Sequence, residues 1–105
     1  MNDLTPVKII IADDHEVIID GLIALLATEK DLQVVGRANN GNQLLEIIKN
    51  KPVDLIILDI DMPEMNGVEA AKKLKEKYPD VKILVLTMFN TPDFIANLFL
   101  EFFKI

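Results

Sequence analysis

Four short apolar runs alternate with segments of helical periodicity along this chain, and that alternation constrains the fold more than any other feature. Val7 to Ala12 (VKIIIA), Leu32 to Ala38 (LQVVGRA), Leu55 to Leu58 (LIIL) and Val81 to Thr87 (VKILVLT) read as strands. The first is nearly all apolar, as a strand buried on both faces requires, and the third is the strongest strand in the chain. His15 to Thr28 sets Val17, Ile18, Leu22, Ile23, Leu25 and Leu26 at helical spacing. Asn42 to Lys49 carries Leu44, Leu45, Ile47 and Ile48 on a second helix after an Asn40-Gly41 turn, and Val68 to Lys77 is rich in good helix formers. Pro52 and Tyr78-Pro79-Asp80 break these units, and Thr91-Pro92-Asp93 starts a further helix with Thr91 at the cap and Pro92 in the first turn. Repeated strand–helix units with short connections predict an α/β fold, a doubly wound parallel sheet with helices on both faces.

A length of 105 residues suits one core and not two, so the expectation is a single domain over residues 1–105. Only 6% of the residues are aromatic, so that core is aliphatic. The net charge of −6 repels phosphate backbones, which argues against direct nucleic-acid binding and favours a cation or a basic partner. There is no cysteine, which excludes disulfides and thiolate-bound metals. The first residues carry no signal-peptide pattern and no apolar run approaches a membrane span, so the expected setting is cytoplasmic, without membrane association.

In sheets of this kind ligands bind outside the carboxyl ends of the strands. The first strand ends in Asp13-Asp14, the third in Asp59 with Asp61 two residues on, and the fourth in Thr87. If the first and third strands are neighbours, Asp13, Asp14 and Asp59 converge. Crowded carboxylates repel one another unless a cation relieves them, and an all-oxygen donor set suits Mg²⁺. A carboxylate can itself be the nucleophile in phosphoryl transfer, with Mg²⁺, loop N–H groups between residues 59 and 67 and the Thr87 hydroxyl offsetting the phosphoryl charge. Each residue also has an ordinary explanation. Asp14 can cap the first helix, Asp61 and Glu64 can be loop residues, and Thr87 can simply end a strand. It is their joint fall at strand carboxyl ends that favours a site.

The segments IIIADDH, LIILDIDMPEMNG and ILVLTMF resemble the three signatures of response-regulator receiver domains. The Asp-Asp-His start, Gly21-Leu22, Val34-Val35-Gly36 and Asn40-Gly41 look most like the NarL/FixJ branch, which commonly joins the receiver to a LuxR-type helix-turn-helix DNA-binding domain. The resemblance spans roughly Val7 to Leu98 and implies a flavodoxin-like receiver fold that accepts a phosphoryl group rather than an enzyme. It also implies that Asp59 is the phosphoacceptor and that Asp14, Asp59 and the backbone carbonyl of Asp61 hold Mg²⁺, with Asp13 acting through a water. Pro63 and Gly67 would shape the loop, and Thr87 would be the switch residue. The donor would be a phosphohistidine of a sensor histidine kinase. His15, the only histidine, would simply stand near the start of the first helix beside the acidic pocket, and Met88 and Phe89 would border that pocket or pack at the strand end.

The family pattern continues with a fifth strand ending in lysine and a fifth helix, and the reading here is that both are missing. Lys104 stands too close to Thr87 for the strand-end role and suits a helix C-terminus instead. An uncovered sheet edge and the apolar Phe99, Leu100, Phe102, Phe103 and Ile105 predict self-association. Two other functions are compatible with parts of the pattern. LIILDIDMP also fits the Asp-x-Asp start of haloacid dehalogenase-type phosphatases, against which stand the short chain, an idle Asp13-Asp14 pair and Pro63. A receiver-like module that only dimerises is the other. Gly36 and Gly41 have a Walker-like spacing, but Asn42-Gln43 follow in place of Lys-Ser/Thr, so a strand glycine and a turn glycine explain them better.

Overall fold

The computed structural model describes residues 5–60, 62 and 65–86. Four strands, β1 (Val7–Ala12), β2 (Leu32–Ala38), β3 (Leu55–Asp59) and β4 (Lys82–Leu86), alternate with three helices, α1 (Glu16–Leu26), α2 (Gly41–Ile48) and α3 (Gly67–Lys77). All strand pairs are parallel and the order is β2-β1-β3-β4. This is the flavodoxin-like arrangement, in which the order reverses between β1 and β3. None of the described helices is long and apolar enough to cross a membrane.

The apolar run of β1 divides between two cores. Ile10 and Ala12 face α2 and α3 together with Leu44, Ile56, Leu58, Ala70, Ala71, Leu74 and Ile83. Ile9 and Ile11 face α1 with Ile19 and Ile57, and Leu22, Ile23 and Leu26 pack against them. Burial on both faces is why this strand shows no polar alternation. Helices α2 and α3 begin where asparagines cap them. Asn40 Oδ1 accepts from Gln43 N at 2.8 Å and Asn66 Oδ1 from Glu69 N at 3.0 Å, each satisfying an orphan amide of the first turn.

Some expectations shift. Helix α1 is shorter at both ends than the span from His15 to Thr28, and its inward stripe is Ile19, Leu22, Ile23 and Leu26. Val17, Ile18 and Leu25 point outward, with Val17 81% exposed. Apolar residues occupy more than one face of this helix, and the sheet covers only one. Gly41 is the first residue of α2 rather than part of the preceding turn. Gly36 lies in β2, where an added Cβ would approach Ile47 to 3.2 Å, so its small size lets α2 close on the sheet. The register slips between Ile9 and Ile10, which pair with Val34 and Gly36, leaving Val35 as the extra residue of a bulge. The further helix expected at Thr91-Pro92, Lys104 and the apolar segment from Phe99 to Ile105 lie outside the described residues.

Candidate functional site

The site follows from strand pairing. Ala12 is the register partner of Leu58, so the next residues, Asp13 and Asp59, emerge side by side at the carboxyl ends of the two inner strands. Both are buried, at 4% and 3% exposure, although they are charged residues. The backbone holds each in place. Asp13 N donates to Ala38 O at 2.9 Å, Ile60 N donates to Leu86 O at 3.2 Å, and Gly67 N donates to Ile60 O at 2.8 Å. Gly67 sits so close to the end of β3 that an added Cβ would lie 2.3 Å from Asp59 O and 2.6 Å from Ile60 Cα.

The β1–α1 connection completes the cluster. Asp13 Oδ1 accepts from His15 N at 2.8 Å, a local turn that folds the side chain of His15 back over the carboxylates. His15 Nδ1 then lies 2.8 Å from Asp13 Oδ1, 2.9 Å from Asp14 Oδ1 and 4.0 Å from Asp59 Oδ2. Donor atoms of Asp13, Asp14, His15 and Asp59 all fall within 4.8 Å of one another. The hydrogen bond to Asp13, then the charge of Asp14, raise the His15 pKa above its ordinary value. Asp14 is not the helix cap. His15 occupies that position, without a side-chain capping bond, and Asp14 remains available to the pocket.

A polar brace unanticipated from sequence holds the rim. Asn39, just beyond β2, donates through Nδ2 to Asp13 O at 3.4 Å and to Glu16 Oε2 at 2.9 Å. Glu16 also pairs with Arg37, whose guanidinium lies 3.1 Å from Asp20 Oδ1. The Asn39 hydrogen bond, followed by that of Arg37, holds the Glu16 carboxyl below the usual carboxylate range, and Glu16 in turn raises Arg37. The signal available in the sequence was position: Asn39 follows a strand end, the same rule that singled out the aspartates.

Of the residues expected to form the site, the fold brings together Asp13, Asp14 and Asp59 and places Gly67 against the backbone of Asp59. Asp61, Pro63, Glu64, Thr87, Met88 and Phe89 lie outside the described residues. The converging carboxylates, two of them buried, fit a hard divalent cation such as Mg²⁺, because the strand pairing that creates their repulsion leaves it for a cation to offset.

Residues 9–101 match the family model described as the response regulator receiver domain. The chain belongs to that family. It is a receiver domain of two-component systems, and its relatives are NarL/LuxR-type regulators. It is 42% identical over 88 residues to the uncharacterized transcriptional regulatory protein YhcZ of Bacillus subtilis, covering 84% of this chain and 41% of that protein. It is 39% identical over 90 residues to the nitrate/nitrite response regulator protein NarL of Escherichia coli, covering 86% and 42%. The chain thus spans about two fifths of the length of the curated relatives it matches. Among solved structures, the isolated REC domain of RcsB from Salmonella enterica, in the presence of phosphomimetic BeF3−, superposes with a TM-score of 0.83 at 29% identity, covering 93% of this chain and 72% of that one. Nothing in this membership supports the phosphatase alternative.

Proposed function

We propose that Asp59 accepts a phosphoryl group from a phosphohistidine of a sensor histidine kinase, in a Mg²⁺-dependent reaction in the cytoplasm. The observation that carries this reading is a carboxylate only 3% exposed at the end of an inner strand, with the Asp13 and Asp14 carboxylates beside it. One Asp59 oxygen attacks phosphorus in line. The O–P bond of an acyl phosphate forms as the P–N bond breaks, and the departing imidazole keeps the bonding pair and takes up a proton. Burial and the close packing of Gly67 hold the Asp59 backbone still, so the carboxylate is oriented before the donor arrives.

In this reading Asp14 and Asp59 hold Mg²⁺ directly together with the backbone carbonyl of Asp61, and Asp13 holds it through a water. Bound there, the ion supplies positive charge that offsets the carboxylates and the phosphoryl oxygens. Thr87 hydrogen-bonds the phosphoryl group as the switch, and Pro63 and Gly67 shape the loop. These roles rest on family likeness at matching positions. The chain serves as the input module of a LuxR-type transcriptional regulator, with DNA contact made by a part outside the matched segment. The apolar residues from Phe99 to Ile105 favour self-association, which a strictly monomeric species in sedimentation at micromolar concentration would refute.

The direct test is incubation with Mg²⁺ and acetyl phosphate followed by intact mass, with Asp59→Asn in parallel. One added phosphoryl group is expected, absent from the variant and absent with chelator. A folded sample that binds Mg²⁺ yet gains no mass overturns the phosphoacceptor reading and leaves a dimerising module in its place.

A further inference from the structure

We propose that His15 is a nitrogen ligand of the metal pocket, which makes this site selective for borderline divalent ions such as Ni²⁺ over Mg²⁺. The proposal rests on the carboxylates holding a cation, and it adds a donor that the oxygen-only arrangement lacks.

The geometry is that of a coordination sphere. A metal holding its ligands at about 2.1 Å in an octahedron sets neighbouring donor atoms about 3.0 Å apart and opposite ones about 4.2 Å apart. His15 Nδ1 stands 2.9 Å from Asp14 Oδ1, the separation of neighbours, and 4.0 Å from Asp59 Oδ2, close to that of opposite ligands, while its 2.8 Å to Asp13 Oδ1 is that of a hydrogen bond which a bound metal would displace. All these atoms share one region 4.8 Å across, so the half-exposed imidazole reaches the carboxylates from the open side of the pocket. The placement is built into the chain. The amide of His15 donates to Asp13 Oδ1 at 2.8 Å and so fixes the backbone, and the capping position leaves the side chain free of any cap bond. Nδ1, rather than Nε2, is the ring atom turned inward.

The consequence is selectivity. Mg²⁺ prefers oxygen and sheds its waters reluctantly, so an imidazole adds little to its binding. Ni²⁺ is well suited to imidazole, and affinity for a given nitrogen and oxygen site rises along the series from Mn²⁺ to Ni²⁺. The pocket would therefore bind Ni²⁺ in preference to Mg²⁺ by more than its oxygens alone provide.

The test uses the full chain, stripped with chelator and dialysed, beside His15→Gln and His15→Asn. Calorimetric titration with Ni²⁺ alone and with Mg²⁺ alone gives the affinity ratio. Pulsed electron paramagnetic resonance of the Mn²⁺-loaded chain reads nitrogen coupling. The expected result is nitrogen modulation in the parent chain, its loss in both variants, and at least a tenfold fall in the ratio of Ni²⁺ to Mg²⁺ affinity. An unchanged ratio, or no nitrogen modulation in a parent chain that binds Mn²⁺, overturns His15 as a ligand while leaving the phosphoacceptor reading intact. If none of the ions binds the parent chain, the metal pocket itself falls, and this inference with it.

Discussion

Gly67→Ala isolates the packing that fixes the end of β3. The added methyl would lie 2.3 Å from Asp59 O, 2.6 Å from Ile60 Cα and 2.9 Å from Asp59 C. All three are backbone atoms, so no side-chain rotation relieves the clash. To reach the 3.4 Å of ordinary contact, the carbonyl must retreat by about 1.1 Å, which pulls on the bond from Gly67 N to Ile60 O at 2.8 Å. Overpacking of this kind costs about 1–3 kcal/mol, and weakening the hydrogen bond adds about 1 kcal/mol. The expected loss is therefore about 2–4 kcal/mol, a fall in Tm on the order of 10 °C or more for a domain of this size. The matched control is Gly21→Ala. Gly21 is exposed inside α1 and an added Cβ meets nothing within 4 Å, so alanine should stabilise by about 0.5–1 kcal/mol through helix propensity. Urea unfolding followed by circular dichroism measures both. A Gly67→Ala midpoint equal to that of the parent chain, or a destabilised Gly21→Ala, would refute the reasoning.

In metal-free buffer the stability contributed by His15 should be fully present below about pH 6.5 and be lost as pH rises through its raised folded-state value, because the folded protein binds that proton more tightly than the unfolded chain. The check is the urea midpoint against pH in the presence of chelator, where His15→Gln should flatten the slope. Ile10→Ala removes a side chain that is 0% exposed on an inner strand and should cost about 2–5 kcal/mol by the same assay. Asn40→Ala should cost about 1 kcal/mol by removing the cap bond to Gln43 N, and Asn40→Gly should cost markedly less, a difference that urea midpoints resolve.

The order of strands and helices was legible because each element advertises itself locally. VKIIIA and LIIL are apolar without alternation, as strands covered on both sides must be, and the observed β1 and β3 coincide with them to within a residue. Helix faces were less legible. Val17, Ile18 and Leu25 share helical spacing with Leu22, Ile23 and Leu26, and periodicity alone does not say which apolar stripe meets the sheet when a helix carries more than one. Positions of the aspartates at strand ends were visible in the sequence, and the family signatures around Asp13-Asp14 and Asp59 named their expected roles.

What the sequence determined alone is the alternation of elements, the aliphatic core and the set of carboxylates at strand ends, since these depend on neighbours along the chain. Only the tertiary structure decided that β1 and β3 are adjacent with Ala12 opposite Leu58, which turns two separate aspartates into one pocket. It also decided that His15 folds inward and that Asn39 braces the loop beside Asp13. Strand pairing and side-chain convergence are contacts between residues far apart in the chain, and their free energy depends on the whole packed sheet, so no local pattern encodes them.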